Sequence, residues 1–246
     1  MRRPKMIIFD YGQTLVSEDR FDPEAGNKAV LKLAKKNPYQ ISAKNLQEFT
    51  KELNKELGRY VPDVREATHI EVHNHLFQNY VYEYYGLEFD YTAAELERVF
   101  WDNASTRRAT PGIEKFLQFL KETGIRTAVI SNISFSGNAL KERINTYIPE
   151  HNFEFIMATS EYVFRKPHKR IFELALRKAK LEARDVWYCG DNAYFDVDGA
   201  SKVGIYPVWY RGAIEAKNRL LPSVEHIEIS SWQEMIGLIE STLIAD

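Results

Sequence analysis

The stretch MIIFDYGQTL, residues 6–15, places an aspartate directly behind a short run of apolar side chains. Such a run, ended by turn residues, is typical of a buried β-strand, and we predict a strand over residues 5–9. In open α/β sheets, ligands bind just beyond the carboxyl ends of the strands. Asp10 is therefore the first candidate functional residue, and Gly12, two positions later, is the second feature of this stretch that needs an explanation.

The composition is that of a soluble globular protein, since 44% of the 246 residues are apolar and 28% are charged. The formal net charge is −2 without a basic stripe, so neither nucleic acid nor a membrane surface is an expected partner. No apolar stretch approaches the ~18 residues that a transmembrane helix needs. Cys189 is the single cysteine, so an intramolecular disulfide is excluded, and we expect a cytoplasmic protein.

The pattern of apolar residues changes near residue 21 and again near residue 105. Between these points apolar residues recur every three to four positions, which predicts one helix after another without an intervening strand. Beyond residue 105, short apolar runs alternate with helical patterns. The predicted strands cover residues 127–130, 153–157, 186–189 and 206–209, and the predicted helices cover residues 111–124, 137–147, 169–179, 195–202 and 232–239.

This order of elements predicts an α/β fold, a doubly wound parallel sheet with helices on both faces, which is interrupted by an inserted all-helical domain. We assign residues 1–18 and 106–246 to the α/β core and residues 19–105 to the helical insert.

Polar side chains follow several of the predicted strands. They are Asp10 and Thr14, Ser131 and Asn132, Lys166, and Asp191 and Asp196. Three carboxylates at one edge of a sheet would repel one another and raise their pKa values unless a cation lay between them. Oxygen ligands suit Mg²⁺, whereas a lysine and a hydroxyl suit the oxygens of a phosphate group. The set therefore predicts phosphoryl transfer, with one carboxylate as the nucleophile.

Four segments resemble the four ordered motifs of the haloacid dehalogenase superfamily of hydrolases. They are DYGQTL at 10–15, VISN at 129–132, RKPHKRIF at 165–172 and GDNAYFDVDGA at 190–200. The resemblance covers residues 5–16 and 108–215, and it implies the Rossmann-like core of that family. The helical insert is similar to the family's cap domain in its position and length.

The resemblance also implies a role for each matching residue. The implied catalytic residues are Asp10, as the nucleophile that forms an aspartyl-phosphate, Ser131 and Lys166. The implied Mg²⁺ ligands are Asp10, Gly12 through its backbone carbonyl, Asp191 and Asp196, of which the last could orient Lys166 instead. The implied phosphate-binding residues are Thr14, Ser131, Asn132 and Lys166. Together they imply a Mg²⁺-dependent phosphatase that acts on a small phosphorylated metabolite.

Gly12 departs from the pattern of the family's phosphatases, which carry a second aspartate at this position. That aspartate protonates the leaving oxygen and later activates water, and a general acid–base is worth about 10²–10⁴ in rate. We therefore expect weak turnover, or a preference for good leaving groups such as acyl and aryl phosphates. Another residue could supply the missing group, and the candidates are Glu18, Asp19, His69, His73 and His75.

Two other functions stay open. A catalytically degenerate protein that binds phosphate or Mg²⁺ in a regulatory role is compatible with Gly12. A 2-haloacid dehalogenase is the weaker alternative, because that branch lacks the Gly-Asp pair of the fourth motif, which is Gly190 and Asp191 here. An arginine-bearing halide pocket in the cap would favour it.

Arg107 and Arg108 stand where the chain returns from the insert to the core. They could meet an anionic substrate, but we expect both to be solvated. The sequence leaves the substrate and the oligomeric state open. A homodimer is compatible with the many aromatic residues of the insert.

Overall fold

The computed structural model describes residues 2–213 and 220–243, apart from the side chains of Asp19 and Leu243. The strands are β1 (Met6–Phe9), β2 (Val16–Phe21), β3 (Ser105–Ala109), β4 (Arg126–Ser131), β5 (Ile156–Ala158), β6 (Val186–Gly190), β7 (Tyr206–Tyr210) and β8 (Ile227–Ile229). The helices are α1 (Pro23–Leu31), α2 (Ala43–Glu56), α3 (Asn74–Tyr84), α4 (Ala93–Ala104), α5 (Ile113–Glu122), α6 (Gly137–Tyr147), α7 (Lys169–Ala179), α8 (Gly199–Ser201) and α9 (Trp232–Leu243).

Strand β1 lies inside a six-stranded sheet whose order is β5-β4-β1-β6-β7-β8, and every neighbouring pair is parallel. Its residues are fully buried, as expected for a parallel sheet with helices on both faces. Ile7 and Phe9 pack on one face with α5, α6 and α9, whereas Met6 and Ile8 pack on the other face with α7. The predicted doubly wound α/β architecture is therefore confirmed.

Strands β2 and β3 form a separate antiparallel ribbon that the sequence pattern did not indicate. Their sequences, VSEDRF and STRRA, are mostly polar, so they lack the alternating apolar residues by which a strand is recognised. The ribbon pairs Val16 with Ala109 and Phe21 with Ser105, with an irregular register between Glu18 and Phe21. It carries the chain from the core into the helical insert and back again.

Three smaller differences from the predicted elements concern boundaries and short elements. Strand β8 was not predicted, because three residues are too few to show a periodicity. Strand β5 begins at Ile156 and not at residue 153. The helix predicted over residues 195–202 is a π-helical turn, Ala193–Asp198, that continues into α8.

Helices α1 to α4 make up the insert, which contacts the core directly. The backbone N–H of Asn74 donates to the carbonyl oxygen of Ser134 at 2.8 Å. The fully buried Glu97 of α4 accepts hydrogen bonds from the backbone N–H and the hydroxyl of Ser136, at 3.1 and 2.5 Å. The β2–β3 ribbon crosses both predicted domain boundaries, so the division at residues 18/19 and 105/106 stays a prediction.

Within residues 2–213 and 220–243, no helix has both the length and the apolar character that crossing a membrane requires. The cytoplasmic location stays a prediction. The homodimer also stays a prediction, although Tyr80 and Tyr84 of α3 do expose 54% and 57% of their surface.

Thr110 joins three parts of the core, and its removal is expected to destabilise the protein. Its buried hydroxyl donates to the carbonyl oxygen of Thr14 at 2.9 Å and accepts from the indole N–H of Trp232 at 2.9 Å. Thr110→Val leaves that indole N–H without a partner, so we expect the free energy of unfolding to fall by about 1–3 kcal/mol. Urea denaturation measures the change.

The matched control is Thr146→Val, because the exposed hydroxyl of Thr146 donates only to a carbonyl oxygen of its own helix. We expect this variant to stay within about 0.5 kcal/mol of the wild type. Equal unfolding midpoints for both variants would contradict the role assigned to Thr110.

Candidate active site

Three acidic side chains meet at the carboxyl edge of the sheet. Asp10 follows β1, and Asp191 follows β6, which pairs directly with β1. Asp196 lies in the π-helical turn after β6. Each of the three offers a carboxylate oxygen, and these atoms all lie within 4.8 Å of one another. The predicted convergence of the strand ends is therefore present in the structure.

Lys166 supplies a positive charge inside this acidic cluster. Its side chain is 2% exposed, and its Nζ donates to Oδ1 of Asp10 at 2.7 Å and to Oδ1 of Asp196 at 2.5 Å. A third hydrogen bond runs to the hydroxyl of Tyr188 at 2.7 Å. All three protons of the ammonium group are thus accounted for, which is what a buried lysine requires.

The electrostatics of the cluster follow from burial and from these charges. Burial raises the pKa of Asp10 to about 6, because desolvation and the charge of Asp196 outweigh the attraction of Lys166. Burial alone would lower the pKa of Lys166, but the charges of Asp10 and Asp196 prevail and raise it. Burial also raises the pKa of Tyr188 well above its usual value, so this hydroxyl stays protonated. An additional cation beside Asp10 would favour its charged form.

Backbone contacts hold the lysine and the acidic turn in place. The side-chain amide of Asn132 donates to the carbonyl oxygen of Lys166 at 2.9 Å and accepts from its N–H at 2.8 Å. Oδ2 of Asp196 accepts from the N–H of Asn192 at 3.0 Å, and the side chain of Asn192 caps the π-helical turn. Asn132 therefore positions Lys166 from a neighbouring strand end, whereas its predicted contact with phosphate stays a prediction.

These residues line a pocket with a volume of about 350 Å³. Of the residues predicted for the site, the pocket is lined by Asp10, Gly12, Ser131, Asn132, Lys166, Asp191 and Asp196. Thr14 does not line it in the described structure, because its side chain is fully buried and its hydroxyl has no hydrogen-bond partner there. The individual roles in catalysis and in metal and phosphate binding stay predictions.

Gly12 leaves open space where a second carboxylate would stand, since a Cβ atom added there would meet no atom within 4 Å. Of the proposed substitutes whose side chains are described, Glu18 lines the same pocket and the three histidines do not. His73 lies near Glu161 and His75 near Glu97, while the side chain of Asp19 lies outside the described residues.

The expectation that Arg107 is solvated is wrong, because its side chain is only 6% exposed and lines the pocket. It forms an ion pair with Glu18 at 2.5 Å, and its guanidinium lies 4.7 Å from the ring centre of Trp101. Arg107 is buried because the β2–β3 ribbon pairs it with Glu18. Arg108, the next residue on β3, is exposed as expected.

Sequence reasoning missed two residues of the site, Tyr188 and Arg165. Tyr188 lies in the middle of β6, where the alternation of side chains separates it from its neighbours Trp187 and Cys189. An apolar run that is buried on both faces gives no signal of which residue faces a lysine. Arg165 directly precedes the predicted Lys166, and this adjacency could have indicated that Arg165 lies at the site.

Gly190 is required by the close approach of Asp196. A Cβ atom at Gly190 would lie 2.4 Å from Cγ and 2.5 Å from Oδ2 of Asp196. We therefore expect Gly190→Ala to displace that carboxylate and to lower the free energy of unfolding by about 1–3 kcal/mol. Thermal or urea denaturation checks this expectation.

Gly237 of α9 is the matched control, because a Cβ atom there would meet nothing within 4 Å. Gly237→Ala is expected to stabilise the protein by about 0.5–1 kcal/mol, since alanine favours helix. A Gly190→Ala variant as stable as the wild type would contradict the contact with Asp196.

The chain is similar to several known proteins. A glyceraldehyde 3-phosphate phosphatase of Pyrococcus furiosus is 26% identical over 216 residues, which are 86% of this chain and 82% of that protein. A protein of the same name from Pyrococcus abyssi is 24% identical over 96% of this chain and 94% of its own length.

Two crystal structures share the fold along nearly the whole chain. A haloacid dehalogenase-type phosphatase from Thermococcus onnurineus superposes with a TM-score of 0.62 at 18% identity, covering 97% of this chain and 98% of its own. A 2-haloacid dehalogenase from Pseudomonas syringae superposes with a TM-score of 0.63 at 22% identity, covering 99% and 100%. The model of one family, haloacid dehalogenase-like hydrolase, matches residues 4–204, and the chain belongs to that family.

Proposed function

We propose that the chain is a Mg²⁺-dependent phosphatase that hydrolyses a small phosphorylated metabolite through an aspartyl-phosphate on Asp10. The observation that carries the proposal is the buried cluster in which the carboxylates of Asp10, Asp191 and Asp196 lie around the pocket with Lys166. The relatives from two Pyrococcus species, named glyceraldehyde 3-phosphate phosphatases, support a phosphorylated metabolite as the substrate.

The residues at this edge of the sheet fit a Mg²⁺ ion. Three carboxylates face one ammonium group, so the cluster holds an excess of negative charge, and its oxygen donors suit a hard cation. Asp10, Asp191 and the carbonyl of Gly12 would hold the ion, and Asp196, already bonded to Lys166 and Asn192, would orient the lysine. The bound ion would supply positive charge that offsets the charge of the phosphate oxygens.

In the proposed reaction, an oxygen of the Asp10 carboxylate attacks the phosphorus atom. The bond from phosphorus to the leaving oxygen breaks, and its electron pair stays on that oxygen. Water then attacks the phosphorus of the aspartyl-phosphate, loses a proton to the solvent, and releases phosphate and the Asp10 carboxylate. Lys166 and Ser131, which line the pocket beside Asp10, would bind the phosphoryl oxygens during both steps, and Lys166 would exchange its hydrogen bond to Asp10 for one to the phosphoryl group.

The acid–base step is the weak part of this site. Gly12 carries no proton donor, and Glu18 is the one additional described carboxylate that lines the pocket. Glu18 is paired with Arg107 and accepts a hydrogen bond from Ser105, so both contacts would have to break before its carboxyl group could serve the leaving oxygen. The leaving oxygen must therefore carry its negative charge itself, which favours acyl and aryl phosphates over alkyl phosphates.

The two alternatives differ in what they explain. A regulatory protein that binds phosphate or Mg²⁺ without turnover would share the buried cluster and explain Gly12. A dehalogenase would need a cation to bind halide. Arg107 is paired with Glu18, so Arg59 and Arg165 of the adjoining pocket would have to fill that role. The similarity to the Pseudomonas syringae dehalogenase concerns the fold alone.

Phosphate release from acetyl phosphate and 4-nitrophenyl phosphate, with and without Mg²⁺, tests the proposal. We expect Mg²⁺-dependent turnover that Asp10→Asn abolishes, because the amide cannot attack phosphorus. Asp198→Asn is the control, since Asp198 belongs to the motif of Asp191 and Asp196 but does not line the pocket and bonds the N–H of Ser223 instead. Mg²⁺ binding without turnover would support the regulatory alternative.

Gly12→Asp is expected to increase activity, because the position has room for the side chain and the carboxyl group restores an acid–base. We expect kcat/KM for an alkyl phosphate such as glycerol 1-phosphate to rise by about 10²-fold, at the lower end of what such a group supplies. For acetyl phosphate, whose leaving group needs no proton, the rise should be smaller.

Gly12→Asn serves as the control of equal size without an acid. An equal effect of the aspartate and asparagine variants, or equal gains on the alkyl and acyl phosphates, would show that Gly12 does not limit the acid–base step.

A further inference from the structure

A second pocket, with a volume of about 320 Å³, lies between the helical insert and the core. It adjoins the pocket of Asp10, because both are lined by Phe21, Asn132, Ile133, Phe135 and Arg165. Arg165, which lines both pockets, directly precedes Lys166 in the sequence. The non-reacting end of a small substrate bound at Asp10 would lie in this second pocket.

The charged residues that line the second pocket are mostly cations. They are Lys51, Arg59 and Arg165, against the single carboxylate of Glu71. Lys51 is exposed, whereas the side chains of Arg59 and Arg165 are only 12% and 16% exposed, and that of Glu71 is 2% exposed. Two largely buried guanidinium groups thus share one buried carboxylate in the lining of this pocket.

The hydrogen bonds of Glu71 are already in use. Its Oε1 accepts from Nη2 of Arg59 at 3.0 Å, and its Oε2 accepts from the hydroxyl of Thr159 at 3.2 Å and lies 3.6 Å from Nε of Arg165. In the described structure, the Nε atoms of Arg59 and Arg165 and Oε1 of Gln78 are buried without a hydrogen-bond partner. A largely buried cation without a counter-charge is destabilised until an anion neutralises it.

We propose that this second pocket binds a carboxylate at the non-reacting end of the substrate, so that the substrates are small phosphorylated carboxylic acids. The inference rests on the proposed phosphatase function, and it specifies that the leaving group carries a negative charge. Guanidinium groups bind carboxylates through paired hydrogen bonds. A neutral leaving group would leave the excess positive charge of Arg59 and Arg165 uncompensated, so it should bind less well.

Two aryl phosphates of nearly equal shape test this proposal, 4-carboxyphenyl phosphate and its neutral amide, 4-carbamoylphenyl phosphate. Both have the good leaving group that Gly12 demands, and they differ in the charge at the far end. We expect kcat/KM for the carboxylate to exceed that for the amide by about tenfold or more, through a lower KM. Arg165→Gln and Arg59→Lys should each reduce this ratio toward one.

The control variant is Arg170→Gln, because Arg170 is an exposed arginine of α7 that pairs with Glu173 and does not line either pocket. It should keep the ratio of the wild type. Because Arg59 also bonds Asn54 and Val72, the milder lysine variant is used there, and circular dichroism checks that both pocket variants are folded.

Binding separates a failure of this inference from a failure of the proposed function. Isothermal titration of Asp10→Asn with the two aryl phosphates gives the ratio of dissociation constants without turnover. A ratio near one, or a ratio that both arginine variants leave unchanged, overturns the carboxylate pocket even if the enzyme is active. A carboxylate preference in binding, with no turnover of any probe by the wild type, keeps the pocket and overturns the phosphatase.

Discussion

The ammonium group of Lys166, buried between Asp10 and Asp196, is the contact on which the rest of the site depends. It is stable because the hydroxyl of Tyr188 accepts a hydrogen bond from its third N–H and because two carboxylates balance its charge. The surrounding elements serve this arrangement. Asn132 holds the backbone of the lysine from the end of β4, and Gly190 lets the side chain of Asp196 approach β6. Asp191 adds a third carboxylate at this edge of the sheet, and such a set of oxygen donors suits the divalent cation that we propose.

The ribbon of β2 and β3 bears on the weak acid–base step that we propose for the site. It begins just after Gly12, and it brings Arg107 and Glu18 together as an ion pair inside the pocket. The open space at Gly12 and the pairing of Glu18 have the same chemical consequence. In the proposed reaction, both features favour leaving groups that need no proton.

The charges of the two adjoining pockets complement a substrate with two charged ends. The inner pocket combines three carboxylates with Lys166, and we propose it as the site of the metal ion and the phosphoryl group. The outer pocket combines Arg59 and Arg165 with a single buried carboxylate. Such an arrangement selects substrates by the cost of leaving a buried charge unpaired, which discriminates more strongly than a difference in shape.

The sequence by itself determined the parallel sheet and the convergence of Asp10, Asp191, Asp196 and Lys166, because buried strands and the residues that end them leave local patterns. Gly12 was also visible, since a missing side chain needs no structure to be noticed. Only the tertiary structure decided the burial of Arg107, the role of Tyr188 and the charge of the outer pocket. Each of these depends on contacts between segments far apart in the chain, and polar strands or single residues inside apolar runs carry no periodic signal of such contacts.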